Sequence, residues 1–490
     1  MRTTFHLKTL AVAIATLSVA SVSSAAGLDR SGQDVTAFFQ DGVYAESVYT
    51  YIDADVSGRD SANNVPSSNT YVEGGDTGDI AESYDFFRYG VKADINDTFS
   101  IGLLYDEPFG AAAEYTQGNF VAQGNQNTSI EQLTGNQFNG LTIGPEIQRL
   151  TGLANNEALT AQQRDAAAVG ARNLSIAVAA AAAEAGTAGE NTNVEVRSQS
   201  LTGLLGMKFG ANKEFQVYGG PVAQRIESEV KLRGLAYGPA TGYTSSSNPD
   251  MDYGWIAGMS YSKPEIALKA ALTYRSEIDH DMNIAETYPL AGPLTQAEAL
   301  RQGATPEQAA ALGAAAVNQS SKYEITTPKS VNFDFQTGIN PTTLATAKVR
   351  WVPWGDFKIT PPLYNEVSKA NPLYAEDGLN LVDYDDDQWQ VELGLAKRLA
   401  PALAVSGTVG WDSGAGDPTT SLGPIEGYYS VGLGAKYNVT PEWAVSAGGK
   451  YLWFGDAQGA LPTDKIVADF DDNDGYIVGV KLSYQAKQDF

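Results

Sequence analysis

The sequence predicts an all-β fold: a 14-stranded antiparallel transmembrane β-barrel with helical extracellular loops. Three observations predict it. Apolar residues alternate with small or polar ones along many short segments. Short and long connections between those segments alternate without a break. Aromatic residues cap the apolar face at both ends, as in the lipid-facing belt of a membrane barrel.

Composition narrows the function classes. The 490 residues include 32 Lys plus Arg against 58 Asp plus Glu, a formal charge of −26. A nucleic-acid partner needs a basic surface and is excluded. There is no cysteine, which excludes disulfides, thiolate metal sites and cysteine nucleophiles. With His6 and His280 the only histidines, a multi-histidine metal site is excluded, and no metal or cofactor is expected. The 50 Gly and 25 Tyr suit tilted strands with interfacial rings.

Along the chain, Arg2 and Lys8 precede an apolar run from Leu10 to Val22, and Ser23-Ser24-Ala25-Ala26 supplies small residues for cleavage. Residues 1–26 therefore read as a secretory signal peptide. After them no 18 apolar residues run together, so no transmembrane helix is expected. Residues 27–42 precede the first strand, and 43–490 form the barrel.

The strands are plainest near the end. Tyr429, Val431, Leu433, Ala435 and Tyr437 share one face, opposite Ser430, Gly432, Gly434, Lys436 and Asn438. Trp443, Val445, Ala447, Tyr451 and Trp453 repeat the pattern, as do Phe99, Ile101, Leu103 and Tyr105. Short turns fall at Asn96-Asp97, Ala211-Asn212, Lys263-Pro264, Asn340-Pro341, Ala400-Pro401 and Thr440-Pro441. Long polar connections fall at 58–81, 107–193, 227–250, 283–322, 357–385, 412–424 and 456–472. Six short turns and seven long loops join fourteen strands, with both chain ends on the periplasmic side. The last strand places Tyr476, Val478, Val480, Leu482, Tyr484 and Phe490 in one register, resembling an outer-membrane insertion signal.

The loops carry helix-start chemistry. Ser129–Gln132, Thr160–Gln163, Thr295–Glu298 and Thr305–Gln308 read as capping boxes, the last with Pro306 at the first helical position. Helices are expected within 107–193 and 283–322. Ile147, Leu150 and Leu153, with Leu300 and Leu312, would supply apolar faces. Such faces either close the barrel mouth or form a groove that collects an apolar ligand.

Several segments together resemble the FadL family of outer-membrane hydrophobic-compound transporters. They are Tyr105-Asp106-Glu107-Pro108-Phe109-Gly110-Ala111, Thr327-Pro328-Lys329-Ser330-Val331-Asn332-Phe333-Asp334-Phe335-Gln336-Thr337-Gly338 and Trp351-Val352-Pro353-Trp354. Gly423-Pro424-Ile425-Glu426-Gly427-Tyr428-Tyr429 and Tyr451-Leu452-Trp453-Phe454-Gly455-Asp456-Ala457 complete the set. The resemblance implies passive uptake of hydrophobic molecules, long-chain fatty acids first, across the bacterial outer membrane. It implies capture by outer loops, binding in the lumen and lateral release beside a kinked third strand. The implied partners are hydrophobic small molecules and outer-membrane lipid, with a monomeric barrel and no catalysis. Pro108, Phe109 and Gly110 are the candidate gate, since Pro removes a ladder donor and Gly loosens the chain. That break is expected to end the third strand. The resemblance also implies that 27–42 is a luminal hatch, with candidate residues Asp29, Arg30, Phe38 and Phe39. Here the sequence departs from the family: the plug is short and lacks an Asn-Pro-Ala element, which leaves open whether it closes the pore.

Ligand residues are argued from register. With apolar positions facing lipid, Arg88, Arg275, Arg350 and Lys450 face the lumen. Each lies about eight to ten residues from a short turn, or roughly 20 Å above the periplasmic rim. Such a cation ring either meets a ligand carboxylate or pairs with lumen acids such as Glu392, Asp334 or Glu277.

Other functions remain as alternatives: an aromatic or alkane hydrocarbon channel, a general diffusion porin, or a surface receptor. A lipid hydrolase would need a serine at His280, but Ser276, four residues away on a strand, lies about 13 Å off. The acidic clusters Asp383–Asp387 and Asp469–Asp474 lack the EF-hand spacing and read as solvated loops, with weak calcium binding a minor alternative.

Overall fold

The computed structural model describes residues 28–486; the predicted signal peptide and Phe490 lie outside them. Fourteen antiparallel strands close into one barrel. In order they are Val43–Asp55, Tyr84–Asp94, Phe99–Asp106 continued by Gly110–Glu114, Asn193–Phe209, Phe215–Lys231, and Thr244–Ser247 continued by Asp250–Lys263. The seventh is Leu268–Arg275 continued by Ile278–Thr287, and the eighth is Asn318–Thr327 continued by Ser330–Asn340. Thr343–Val352, Gln388–Ala400, Leu403–Asp412, Tyr428–Asn438, Trp443–Phe454 and Asp474–Ala486 complete the wall. The first and last strands pair from Val43↔Ala486 to Asp55↔Asp474. Closure leaves no free edge strand, so the ladder can run round the whole wall.

The predicted faces are the observed ones. Tyr429 is 66% exposed and Leu433 78%, while Ser430 between their strand neighbours is buried. Apolar side chains this exposed, repeated around the barrel, are stable only against lipid. Aromatic rings form an outer belt: Trp351 pairs across strands with Trp389 at 6.3 Å and Trp255 with Tyr274 at 5.1 Å, while Tyr451 meets Trp453 along its own strand at 5.0 Å.

The strands rise above that belt further than the alternation predicts. The third strand does not end at Glu107-Pro108; it breaks there and resumes as Gly110–Glu114. Above the belt neither face meets lipid, so the apolar-out pattern that marks a strand fades.

The loops fold into a roof. Arg59–Ser61, Glu73–Asp76, Thr419–Thr420, Ala457–Ala460 and Ile466–Phe470 make a five-stranded sheet. Beside it lie the helices Gln126–Leu133, Ile143–Ala154 and Ala161–Gly186, then Ala291–Arg301, Pro306–Ala316 and Pro362–Ser368. The capping boxes at Thr160 and Thr305 form as predicted. The other two do not. Asn125 caps Gln126–Leu133, so Ser129 sits mid-helix and bonds back to the Asn125 carbonyl. Thr295 lies inside Ala291–Arg301, which has no side-chain cap. Ala161–Gly186 has 26 residues and is long and apolar enough to cross a membrane by length and composition. It packs instead in the outer roof: Ala177, Ala180 and Ala181 meet Ile130, Leu133 and Leu235.

Candidate functional site: hatch, wall gap and outer cavity

The hatch begins the site. Residues 28–41 run into the lumen and are mostly buried. The ring of Phe38 presses against Gly102 and Gly206 on the lumen face, where an added Cβ would lie 2.6 and 2.9 Å from the ring. Only glycine leaves room there. Tyr218 closes on Phe38 and Phe39, with ring centroids 5.8 and 5.3 Å away. Thus part of the glycine face makes space for the plug.

Charge fixes the hatch. Arg350 grips Asp29 with both arms, Nε to Oδ2 at 2.6 Å and Nη2 to Oδ1 at 3.0 Å. Its Nη1 donates to Asn332 at 2.8 Å. Asp34 takes Lys348 at 3.1 Å and Arg88 at 3.4 Å. Burial alone would raise the Asp34 carboxyl, but Lys348 and Arg88 hold it well below the usual carboxylate range. The ring predicted from register therefore faces the lumen, and most of it is engaged. Arg88 and Arg350 hold the hatch, and Lys450 pairs with Glu392. Arg275 donates to Ser200 at 3.3 Å, while its Nε has no hydrogen-bond partner. Cavities touching these cations are small, about 50 Å³ beside Arg350 and Lys450 and about 10 Å³ beside Arg88 and Arg275.

The hatch also patches the wall. The second and third strands pair from Asp94↔Ser100 up to Tyr89↔Tyr105, then part, and meet again at Ala81↔Ala113. Pro108 sits in this gap with no N–H to offer. Arg30 N donates to the Pro108 carbonyl and Gly110 N to the Leu28 carbonyl, both at 2.8 Å. Phe109 turns inward and packs edge-on against Trp354. The Arg30 guanidinium lies 4.0 Å from the Tyr84 ring centroid, a cation–π contact. Outside this seam a cavity of about 410 Å³ is lined by Arg30, Glu82, Asp85, Glu107, Arg197 and Glu227.

A cavity of about 960 Å³ lies in the roof rather than the lumen. Its walls are Leu133, Phe138, Ile176 and Ala177 on one side and Tyr237, Tyr288, Leu294 and Tyr364 on another. Leu300 and Leu312, expected to serve a groove, are exposed and stand outside it. Two cations border the cavity. Lys465 is buried and donates to the Val65 carbonyl at 2.9 Å; Arg172 donates to the Ala370 carbonyl. Neither has a carboxylate ion pair among the described residues. Desolvation pulls the Lys465 amine down to about 8. Register arguments missed both, because the walls come from seven separate loop segments. A lone lysine before the apolar Ile466-Val467-Ala468 was the one local sign.

A closed barrel belted with aromatics, plugged from its N-terminal side and holding a large apolar cavity in its roof, is the form of an outer-membrane channel for hydrophobic molecules. The chain belongs to the outer membrane protein transport protein family (OMPP1/FadL/TodX), whose sequence profile matches residues 183–487. A FadL homologue of Pseudomonas aeruginosa superposes with a TM-score of 0.58 at 13% identity, covering 97% of each chain. The TodX monoaromatic hydrocarbon channel deltaS2 mutant superposes with 0.50 at 12% identity, covering 95% of this chain and 98% of that one. The Pseudomonas putida toluene transporter TodX gives 0.49 at 9%, covering 96% and 97%. No curated protein sequence matches. The protein is thus a multi-pass β-barrel of the bacterial outer membrane and a channel of the hydrophobic-compound type.

Proposed function

We propose that the protein passively takes up long-chain fatty acids. The observation that carries this reading is the roof cavity: apolar walls for a chain, and Lys465 and Arg172, held by backbone carbonyls and with no carboxylate ion pair among the described residues, for a headgroup. A hydrocarbon would have no use for two cations in an apolar setting. From the cavity, ligand descends toward Arg88, Arg275, Arg350 and Lys450, where its carboxylate competes with Asp29, Asp34 and Glu392. It leaves through the seam at Pro108, Phe109 and Gly110. The barrel works as a monomer and carries out no chemistry on its ligand.

The test is displacement of a fluorescent long-chain fatty acid from detergent-purified protein, comparing wild type with Lys465→Met. Removing a charged hydrogen-bond partner costs about 1.5–3 kcal/mol, so acid binding should weaken roughly 10- to 150-fold. The matched fatty alcohol should be nearly unaffected. Equal binding of acid, alcohol and toluene would instead favour a hydrocarbon channel. No saturable binding, with high ion conductance, would favour a diffusion porin.

A further inference from the structure

The sixth and seventh strands also part, and the seam between them is lined by unsatisfied ligand atoms. Their ladder ends at Ile256↔Arg275 and resumes at Ile284↔Ser247. In between, the Asp281 N–H donates to the Asp252 carboxylate at 3.2 Å instead of to a backbone carbonyl. His280 is fully buried beside it.

Hydrogen bonding sets the histidine tautomer. Gln224 Oε1 accepts from Thr327 Oγ1 at 2.7 Å and lies 3.0 Å from His280 Nε2. An amide oxygen only accepts, so Nε2 carries the proton and Nδ1 presents a lone pair. That Nδ1 has no hydrogen-bond partner, and neither does the buried Oδ2 of Asp250, 4.0 Å away. Two acceptors thus face each other across 4.0 Å. Asp252 completes the group, its ligand atom and those of Asp250 and His280 all lying within 4.8 Å of one another.

We propose that Asp250, Asp252 and His280 bind one divalent transition-metal ion of the zinc class. One imidazole nitrogen with two carboxylates suits such an ion, whereas calcium and magnesium prefer oxygen alone. Gln224 then plays the orienting part common behind metal-bound histidines. Bonds of about 2.0–2.2 Å would draw the three ligand atoms inward by roughly an ångström and leave a position for water. The ion would clamp two strands where the backbone ladder is missing.

The test uses the full chain in detergent, stripped with a chelator and titrated with zinc against a chromophoric competitor. Wild type should take up one zinc per chain. His280→Gln and Asp250→Asn should each weaken binding roughly tenfold or more. Zinc should raise the thermal midpoint of wild type and leave both variants unmoved. Asp471→Asn with Asp472→Asn, in the last outer loop, should bind as wild type does. Heat-modifiable migration on gels reports whether each barrel is folded. Should either variant misfold, cobalt bound to wild type still reports the site through the absorption of a nitrogen- and oxygen-ligated ion. No stoichiometric uptake at micromolar zinc, or uptake unchanged in folded variants, overturns the proposal.

Discussion

Neutralising Asp29 should open the barrel. Asp29 and Arg350 form two charge-assisted bonds, at 2.6 and 3.0 Å, with side chains 0% and 6% exposed. Asp29→Asn leaves the guanidinium buried without its counter-charge, a loss of about 3–5 kcal/mol. At 1.4 kcal/mol per factor of ten, the undocked hatch becomes more populated by roughly two to three and a half powers of ten. Arg350→Met in the same chain removes the stranded charge, and Asn332 and Ser330 still donate to the hatch at Gly32 and Gln33 as neutral neighbours. The assay is single-channel conductance in planar bilayers. Wild type should be mostly closed, Asp29→Asn should open far more often, and the double variant should close again. A folded Asp29→Asn barrel with wild-type conductance would refute the view that this ion pair holds the plug.

Two other outcomes follow from the same geometry. Gly206→Val places carbon against the Phe38 ring, 2.9 Å away at Cβ, and should displace the hatch, seen as faster proteolysis of the N-terminal segment with the barrel intact. Fatty-acid affinity should be greatest below pH 8, where Lys465 is charged, and should fall as pH rises through about 8. Binding titrations from neutral to alkaline pH read that fall, which Lys465→Met should abolish.

Much of this architecture is legible in the sequence because lipid enforces it. Every membrane-facing position must be apolar, so alternation in Tyr428–Asn438 or Trp443–Phe454 fixes both strand and face. The same register correctly turns Arg88, Arg275, Arg350 and Lys450 inward. What they meet there is not legible. Asp29 and Arg350 are 321 residues apart, and no local pattern announces their pairing. The outer parts of the third and sixth strands, Gly110–Glu114 and Thr244–Ser247, escape for another reason: above the belt, water and packed loops replace lipid, and the constraint that writes the pattern is gone. Capping boxes show the limit of a four-residue motif. Thr160 and Thr305 begin helices, whereas Ser129 and Thr295 fall inside helices started by Asn125 and by the turn before Ala291. The roof cavity lies furthest from view, since Val65, Tyr237, Tyr364 and Lys465 converge only through the folded loops.

The central claim is that hydrophobic acids enter through the roof cavity. Ala177 lines it from the helix Ala161–Gly186, and Ala177→Trp would push an indole into the ligand's path without altering charge. The most direct measurement is uptake of radiolabelled long-chain fatty acid by cells whose only uptake channel is this protein, wild type or variant, at matched amounts of folded barrel. Uptake by Ala177→Trp reduced to near background is the expected result. Uptake equal to wild type would contradict the account.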